Sequence, residues 1–177
     1  MSERIDGYAA AAFALASAEG EADRVEQELF AVGQAVQSSP ELRDALTDPR
    51  LPLERKEAIV RDVVGAQASR VTVNLVSLIV AQGRGGDLPE IATALAETRA
   101  ASAGRALAEV RTAVPLDDAT VDRLTAALER KTGRPVEVRV VVDPSIMGGI
   151  VTRVGDTVID GSVARRLRSL RQTLQTR

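Results

Sequence analysis

The chain has 177 residues, a formal net charge of −2, and neither cysteine nor histidine, which removes disulfides, thiolate nucleophiles, imidazole bases and nearly all zinc chemistry. Hydrophobic residues make up 45% but aromatics only 2%, so the core has to be built from Ala, Val, Leu and Ile. Such a core suits closely packed helices better than a sandwich.

Residues 1–104 read as helix throughout. Ile5, Tyr8, Ala9, Ala12, Phe13 and Ala16 recur at helical spacing, and a break follows at Glu19-Gly20. Val25, Leu29, Val32 and Val36 mark a second helix that stops before Pro40. Pro40 opens a short third helix, capped by Ser39 and ending near Leu46. Thr47 to Pro52 is a turn. A fourth helix runs from Leu53 to Val64 and a fifth from Val71 to Gln82, ended by Gly83. The sixth spans Leu88 to Ala103, with Asp87 as its cap and Pro89 in its first turn. The fifth carries Val71, Val73, Val76, Ile79 and Val80, and these β-branched residues could also read as a buried strand. Its length and its surroundings favour helix.

Near Gly104 the pattern changes. Leu107 to Val114 alternates like a strand, with Ala108, Val110, Thr112 and Val114 on one face, and Pro115 ends it. Asp117 or Asp118 then caps a helix carrying Val121, Leu124 and Leu128, closed by Gly133. Val136, Val138, Val140 and Val142 form one face of a second strand. Ile150 to Val154 and Thr157 to Ile159 flank Gly155-Asp156, a two-residue hairpin turn. Asp160 or Ser162 caps a last helix with Val163, Leu167, Leu170 and Leu174 on one side. The expected class is α+β: an N-terminal six-helix bundle over 1–104, then a small β-α-β-β-β-α domain over 105–177.

Charge divides along the same line. Residues 1–104 hold ten basic and sixteen acidic groups, and residues 105–177 thirteen and nine. Opposite signs suit two domains with different partners, or simple drift between two surfaces. No stretch reaches the roughly 18 apolar residues of a membrane-spanning helix. The opening Met-Ser-Glu-Arg-Ile-Asp has no basic leader and no Arg-rich presequence. A soluble chain that reaches a membrane only through partners is expected.

Two helices of the first domain stand out, because neither Gly7 to Ala18 nor Val71 to Gln82 contains a charge. A helix that is apolar all round must be covered all round. Either both are central in the bundle, or their spare faces line a groove for a partner helix. Gly83 to Asp87 lacks the Lys-Ser/Thr of a phosphate loop and reads as an interhelical loop. Gly148-Gly149 reads as a bulge or tight entry into the hairpin. Arg165, Arg166, Arg168 and Arg171 lie opposite the last helix's leucines, as a solvated face or a site for acidic groups or phosphates. No aromatic platform accompanies them, since Tyr8, Phe13 and Phe30 all lie in the first domain. Catalysis has little to stand on: Asp156 fits a turn, Asp160 a cap, and Lys56 and Lys131 lie outside apolar runs. No catalytic, cofactor or metal residue is assigned.

The string from Val141 through Pro144-Ser-Ile-Met-Gly-Gly-Ile-Val-Thr-Arg-Val-Gly-Asp-Thr-Val-Ile-Asp-Gly-Ser to Leu170 resembles the C-terminal signature of the δ subunit of bacterial F-type ATP synthases. The mitochondrial counterpart is the oligomycin-sensitivity-conferring protein. Tyr8 to Phe13, Asn74-Leu75-Val76 and Ala81-Gln-Gly-Arg agree in the first half, while the Gly85-Gly86 pair departs from the family's pattern. The resemblance implies a non-catalytic stator connector of the peripheral stalk. The N-terminal helix of a head α subunit would occupy a groove between the first and fifth helices, placing Tyr8, Ala12, Leu15, Asn74, Leu75, Leu78 and Gln82 there. The C-terminal ends of the stalk b subunits would meet the second domain, with Met147, Gly148, Gly149, Arg165 and Arg166 as candidates. It also implies a peripheral place on the cytoplasmic face of a bacterial inner membrane, without cofactor or nucleic acid. The competing class is a nucleic-acid-binding adaptor using the basic last helix, whose binding would fall steeply with salt. An enzyme using carboxylates is the third.

Overall fold

The computed structural model describes residues 3–65, 68–155, 157–165 and 167. The chain is α+β and divides into two compact units, Met1–Arg99 and Ala100–Arg177. The helices are α1 (Glu3–Ala18), α2 (Ala22–Ser38), α3 (Pro40–Thr47), α4 (Leu53–Val64), α5 (Arg70–Ala81) and α6 (Leu88–Ser102). Then follow β1 (Ala106–Thr112), α7 (Asp118–Thr132), β2 (Val136–Val142), β3 (Ile150–Val154) and β4 (Thr157–Asp160).

Local chemistry starts the helices. The Ser39 hydroxyl accepts the Leu42 amide at 3.2 Å, while Pro40 occupies the first turn of α3 without a donor to lose. Asp87 ends a short 3₁₀ turn, Gly85–Asp87, and its carboxylate accepts from the Arg84 guanidinium at 3.1 Å. The β-branched run of α5 is helical because its start is held from α2. Both oxygens of Glu28 accept the Ser69 amide, at 3.2 and 3.0 Å, and the Thr72 hydroxyl donates to Glu28 at 2.6 Å. The Ser69 hydroxyl accepts the Val71 amide at 3.1 Å and donates to Glu21. A carboxylate at a helix start satisfies orphan amides and opposes the positive end of the dipole.

The core of this unit is small-grained. Ala9, Ala12 and Ala16 of α1 meet Val25, Leu29, Val32 and Val36 of α2, with Val76, Ile79 and Val80 of α5 and Ile91, Ala92 and Leu95 of α6. Each fully buried Leu or Ile contributes roughly 1.5–3 kcal/mol. Gly33 lets α2 and α6 come together: a Cβ there would lie 3.1 Å from both Pro89 Cα and Ala92 Cβ. Glu26, 1% exposed, is held by Arg99 Nε at 3.6 Å, and Arg99 also reaches Asp23 at 3.1 Å.

In the second unit the sheet order is β2-β1-β3-β4. β1 runs parallel to β2 and antiparallel to β3, and β3 and β4 are antiparallel. Ala106, Ala108, Val136 and Val154 pack on Leu128 of α7, with Val138 and Ile159 at the margin. The other face carries Glu109, 7% exposed, which accepts from Arg111 Nε at 2.7 Å. Asp117 caps α7 by accepting the Thr120 amide at 2.8 Å.

β1 stops at Thr112, short of the expected Val114. The Thr112 hydroxyl accepts the Val114 amide at 3.0 Å and closes a turn ahead of Pro115. Val114 is left 63% exposed instead of sharing the inner face. Of the two expected caps of the last helix, Ser162 acts, accepting the Arg165 amide at 3.3 Å; Asp160 instead accepts the Ser162 amide at 2.9 Å and shapes the turn before it. Arg166, Arg168, Leu170, Arg171 and Leu174, together with Asp156, lie outside the described residues.

Burial raises the Glu28 carboxyl, but donation from Thr72, the Ser69 amide and Arg24 outweighs it and holds the group below the ordinary carboxylate range. The stability it adds is therefore present above the unfolded glutamate value of about 4.3 and is lost as pH falls through the folded value. Glu28→Ala is expected to cost about 1–3 kcal/mol in urea unfolding at pH 7 and to speed amide exchange in the first turn of α5. The difference from the unmodified chain should shrink in acid.

Candidate functional site

α1 and α5 are antiparallel neighbours. A hollow of about 170 Å³ joins Arg4 and Tyr8, at the start of α1, to Arg84 just beyond α5. A second, of about 480 Å³, joins Glu19 beyond the end of α1 to Val71 and Asn74 in the first turns of α5. The seam between these two helices therefore runs along the surface of the first unit.

Neither helix is covered all round, as a charge-free sequence would require of a wholly internal helix. On α1 the core takes Ala9, Ala12 and Ala16, and Tyr8 is half-buried against it. Ala11, Ala14 and Leu15 stay exposed, Leu15 by 43%. On α5 the core takes Thr72, Leu75, Val76, Ile79 and Val80, while Asn74, Leu78 and Gln82 are exposed, Leu78 by 53%. Residues 74, 78 and 82 fall on one line at successive turns. Two of the expected groove residues are buried. Ala12 and Leu75, 1% and 8% exposed, are core residues whose side chains are already packed, so they can form a floor but offer little surface. The open surface comes from Leu15, Asn74, Leu78 and Gln82, with Tyr8 at one end.

The stalk candidates of the second unit differ among themselves. Met147 is 80% exposed and Arg165 is exposed. Gly148 and Gly149 are structural. The Gly148 carbonyl accepts the Val163 amide at 3.0 Å. Gly149 has φ 86°, and a Cβ there would lie 2.6 Å from the Gly161 carbonyl oxygen. Arg166 lies outside the described residues. The turn before them is shaped by Asp143, which accepts from the Ser145 hydroxyl at 2.6 Å and its amide at 2.9 Å, holding the carboxyl below its ordinary range. Sequence reasoning missed Val114, Val142 and Val163, exposed by 63%, 47% and 41%. All three sat in patterns that predicted an inner face, and only the ends of the elements turn them outward. Among the described residues no group of three or more His, Cys, Asp or Glu is placed to hold a metal ion.

A family model described as ATP synthase delta (OSCP) subunit matches residues 5–174. The ATP synthase subunit delta of Frankia alni is 40% identical over 159 residues, covering 90% of this chain and 57% of that protein. That of Acidothermus cellulolyticus is 44% identical over 152 residues, covering 86% and 56%. The chain thus spans little more than half the length of these relatives. Among solved structures, a chain of the Toxoplasma gondii mitochondrial ATP synthase hexamer matches over 98% of both chains, with a TM-score of 0.62 and 24% identity. That likeness is one of fold. Nothing among these matches favours a nucleic-acid adaptor.

Leu15→Asp and Leu78→Asp should each leave the first unit folded at a cost of about 1 kcal/mol, because roughly half of each side chain is already exposed. Leu75→Asp, one turn away, should unfold the first unit. Gly149→Ala should lower the melting temperature of the second unit, since it adds backbone overlap to an unfavourable φ.

Proposed function

We propose that this chain, which belongs to the ATP synthase delta (OSCP) family, is a static, non-catalytic connector in the stator of a proton-transporting rotary ATP synthase. Its helical unit, a six-helix bundle, grips the catalytic head, and its α/β unit holds the peripheral stalk. The observation that carries the reading is the pair of half-exposed leucines, Leu15 and Leu78, in the charge-free stretches of the neighbouring helices α1 and α5. A surface of this kind accepts the apolar face of one more helix. The proposed occupant is the N-terminal helix of a head α subunit, lying along Tyr8, Leu15, Asn74, Leu78 and Gln82 over a floor of Ala12 and Leu75. The C-terminal ends of the b subunits are proposed to meet the second unit near Met147 and Arg165.

The task is mechanical. Proton flow drives a rotor, and the head turns with it unless something static holds it. A joint that resists torque needs a low dissociation rate, and apolar burial in a preformed surface supplies that without chemistry. Alanine along α1 favours it, because small side chains let a third helix come close. No described helix is long and apolar enough to cross a membrane. The chain is proposed to sit on the cytoplasmic face of a bacterial inner membrane, held there by its partners.

The test is binding of the purified chain to a labelled peptide carrying the N-terminal segment of the α subunit from the same source. Leu15→Asp and Leu78→Asp should each weaken it by about tenfold or more, the loss expected from one buried leucine. Raising salt should leave the affinity of the unmodified chain nearly unchanged. Full affinity in both folded variants would remove the groove from the proposal.

A further inference from the structure

β2 is the outer strand of its sheet, and the hydrogen bonds of its inner side fix which groups point outward. Ala106 donates to the Pro135 carbonyl at 2.9 Å, and Asp143 donates to the Thr112 carbonyl at 2.7 Å. With Ala106 opposite Val136 and Thr112 opposite Val142, the odd-numbered residues of β2 bond to β1 throughout. The amides and carbonyls of Val136, Val138, Val140 and Val142 therefore face away from the sheet. Only the Val136 amide has a partner there among the described residues, Glu129 Oε1 at 3.2 Å.

Of the usual devices that keep strands apart, this edge carries only two charged side chains of opposite sign, Glu137 and Arg139, and Pro135 ahead of the strand. The pairing with β1 is continuous from Val136 to Val142, without a bulge. The strand has no proline and no lysine, and five of its residues are valine. An edge this regular invites a further strand, and the side chains say which one. Val136, Val138 and Val140 lie on one face; Glu137 and Arg139, 3.9 Å apart, lie on the other.

We propose that the free chain pairs through this edge with the β2 strand of a second copy, antiparallel and centred on Val138. This centre gives complementary charge within the strand; centring on Val141 would set Arg139 opposite Asp143, but it runs the pairing off the strand, with Val138 opposite Pro144, which has no amide to donate. Val138 meets Val138 of the second copy and Val136 meets its Val140, on the same face. Glu137 then lies opposite Arg139 of the second copy, and Arg139 opposite its Glu137. Those ion pairs fall at non-hydrogen-bonded positions, where side chains approach most closely. Centring on Arg139 would set arginine against arginine, and centring on Glu137 would set glutamate against glutamate. Centring on Val140 would bring Glu137 opposite Asp143. In the chosen register the Val138 amides and carbonyls exchange bonds, and each Val140 amide reaches a Val136 carbonyl, so the Glu129 bond survives. The strand Val-Glu-Val-Arg-Val is its own complement. The contact is narrow, so the association is weak and belongs to the concentrated, unassembled chain.

Sedimentation equilibrium of the full chain over a dilution series should show mass rising towards twice the monomer. Amide exchange should slow with concentration at Val138 and Val140 and stay constant at the already bonded Glu137, Arg139 and Val141. Val138→Pro removes an outward donor that the sheet does not use, and should weaken pairing about tenfold with circular dichroism unchanged. Arg139→Glu should weaken it comparably, and the double variant Glu137→Arg with Arg139→Glu should restore it. Should Val138→Pro fail to fold, the charge pair decides alone. Leu78→Asp should leave the association intact. A chain that stays monomeric at every concentration overturns the proposal. So does a dimer abolished by Leu78→Asp but not by the edge variants, or protection that ignores the even-odd pattern.

Discussion

The carboxylate of Glu28 is the interaction on which the first unit turns. α5 is β-branched along much of its length, and nothing in its own composition insists on helix. Its first turn is built at the surface of α2, where Glu28 accepts the Ser69 amide and the Thr72 hydroxyl while Arg24 holds the carboxylate from behind at 2.9 Å. Ser69 and Thr72 are buried, so their donors have no water to fall back on. Once that end is fixed, Val76, Ile79 and Val80 point inward and Leu78 is left half exposed.

The same economy explains why the charge-free stretches of α1 and α5 stay open on one side. A core of alanine and valine draws the helices close, and Gly33 brings α2 and α6 to near contact. Helices packed this tightly use less of their circumference for burial than larger side chains would. What remains on α1 is a band of alanines with Leu15, and on α5 a line of Asn74, Leu78 and Gln82. Such a surface is preformed and would lose little freedom on binding a further helix.

The second unit solves a different problem. Its central strand β1 is buried on both faces, so Glu109 can be carried inside only because Arg111 reaches it. Gly149 admits the carbonyl of Gly161 where any side chain would collide, and the end of β4 closes on the start of β3. Three of its exposed apolar residues, Val114, Val142 and Met147, lie where the strands run out, and Val158 lies on the outer strand β4.

The sequence by itself determined what short-range chemistry can specify. Ser39-Pro40 starts a helix, Asp117 caps another, Gly155 turns a hairpin, and the α+β division follows from a change of period near residue 104. These are contacts among neighbours a few positions apart, and they need no third partner. The two charge-free stretches were equally legible as a sign of unusual burial. Which side of them is buried was not, because a uniform apolar helix has no polar face to mark the outside. Only the tertiary structure assigned Ala12 and Leu75 to the core and left Leu15 and Leu78 in water. It did so through a bond between Glu28 and residues more than forty positions away, a distance over which local pattern carries no information.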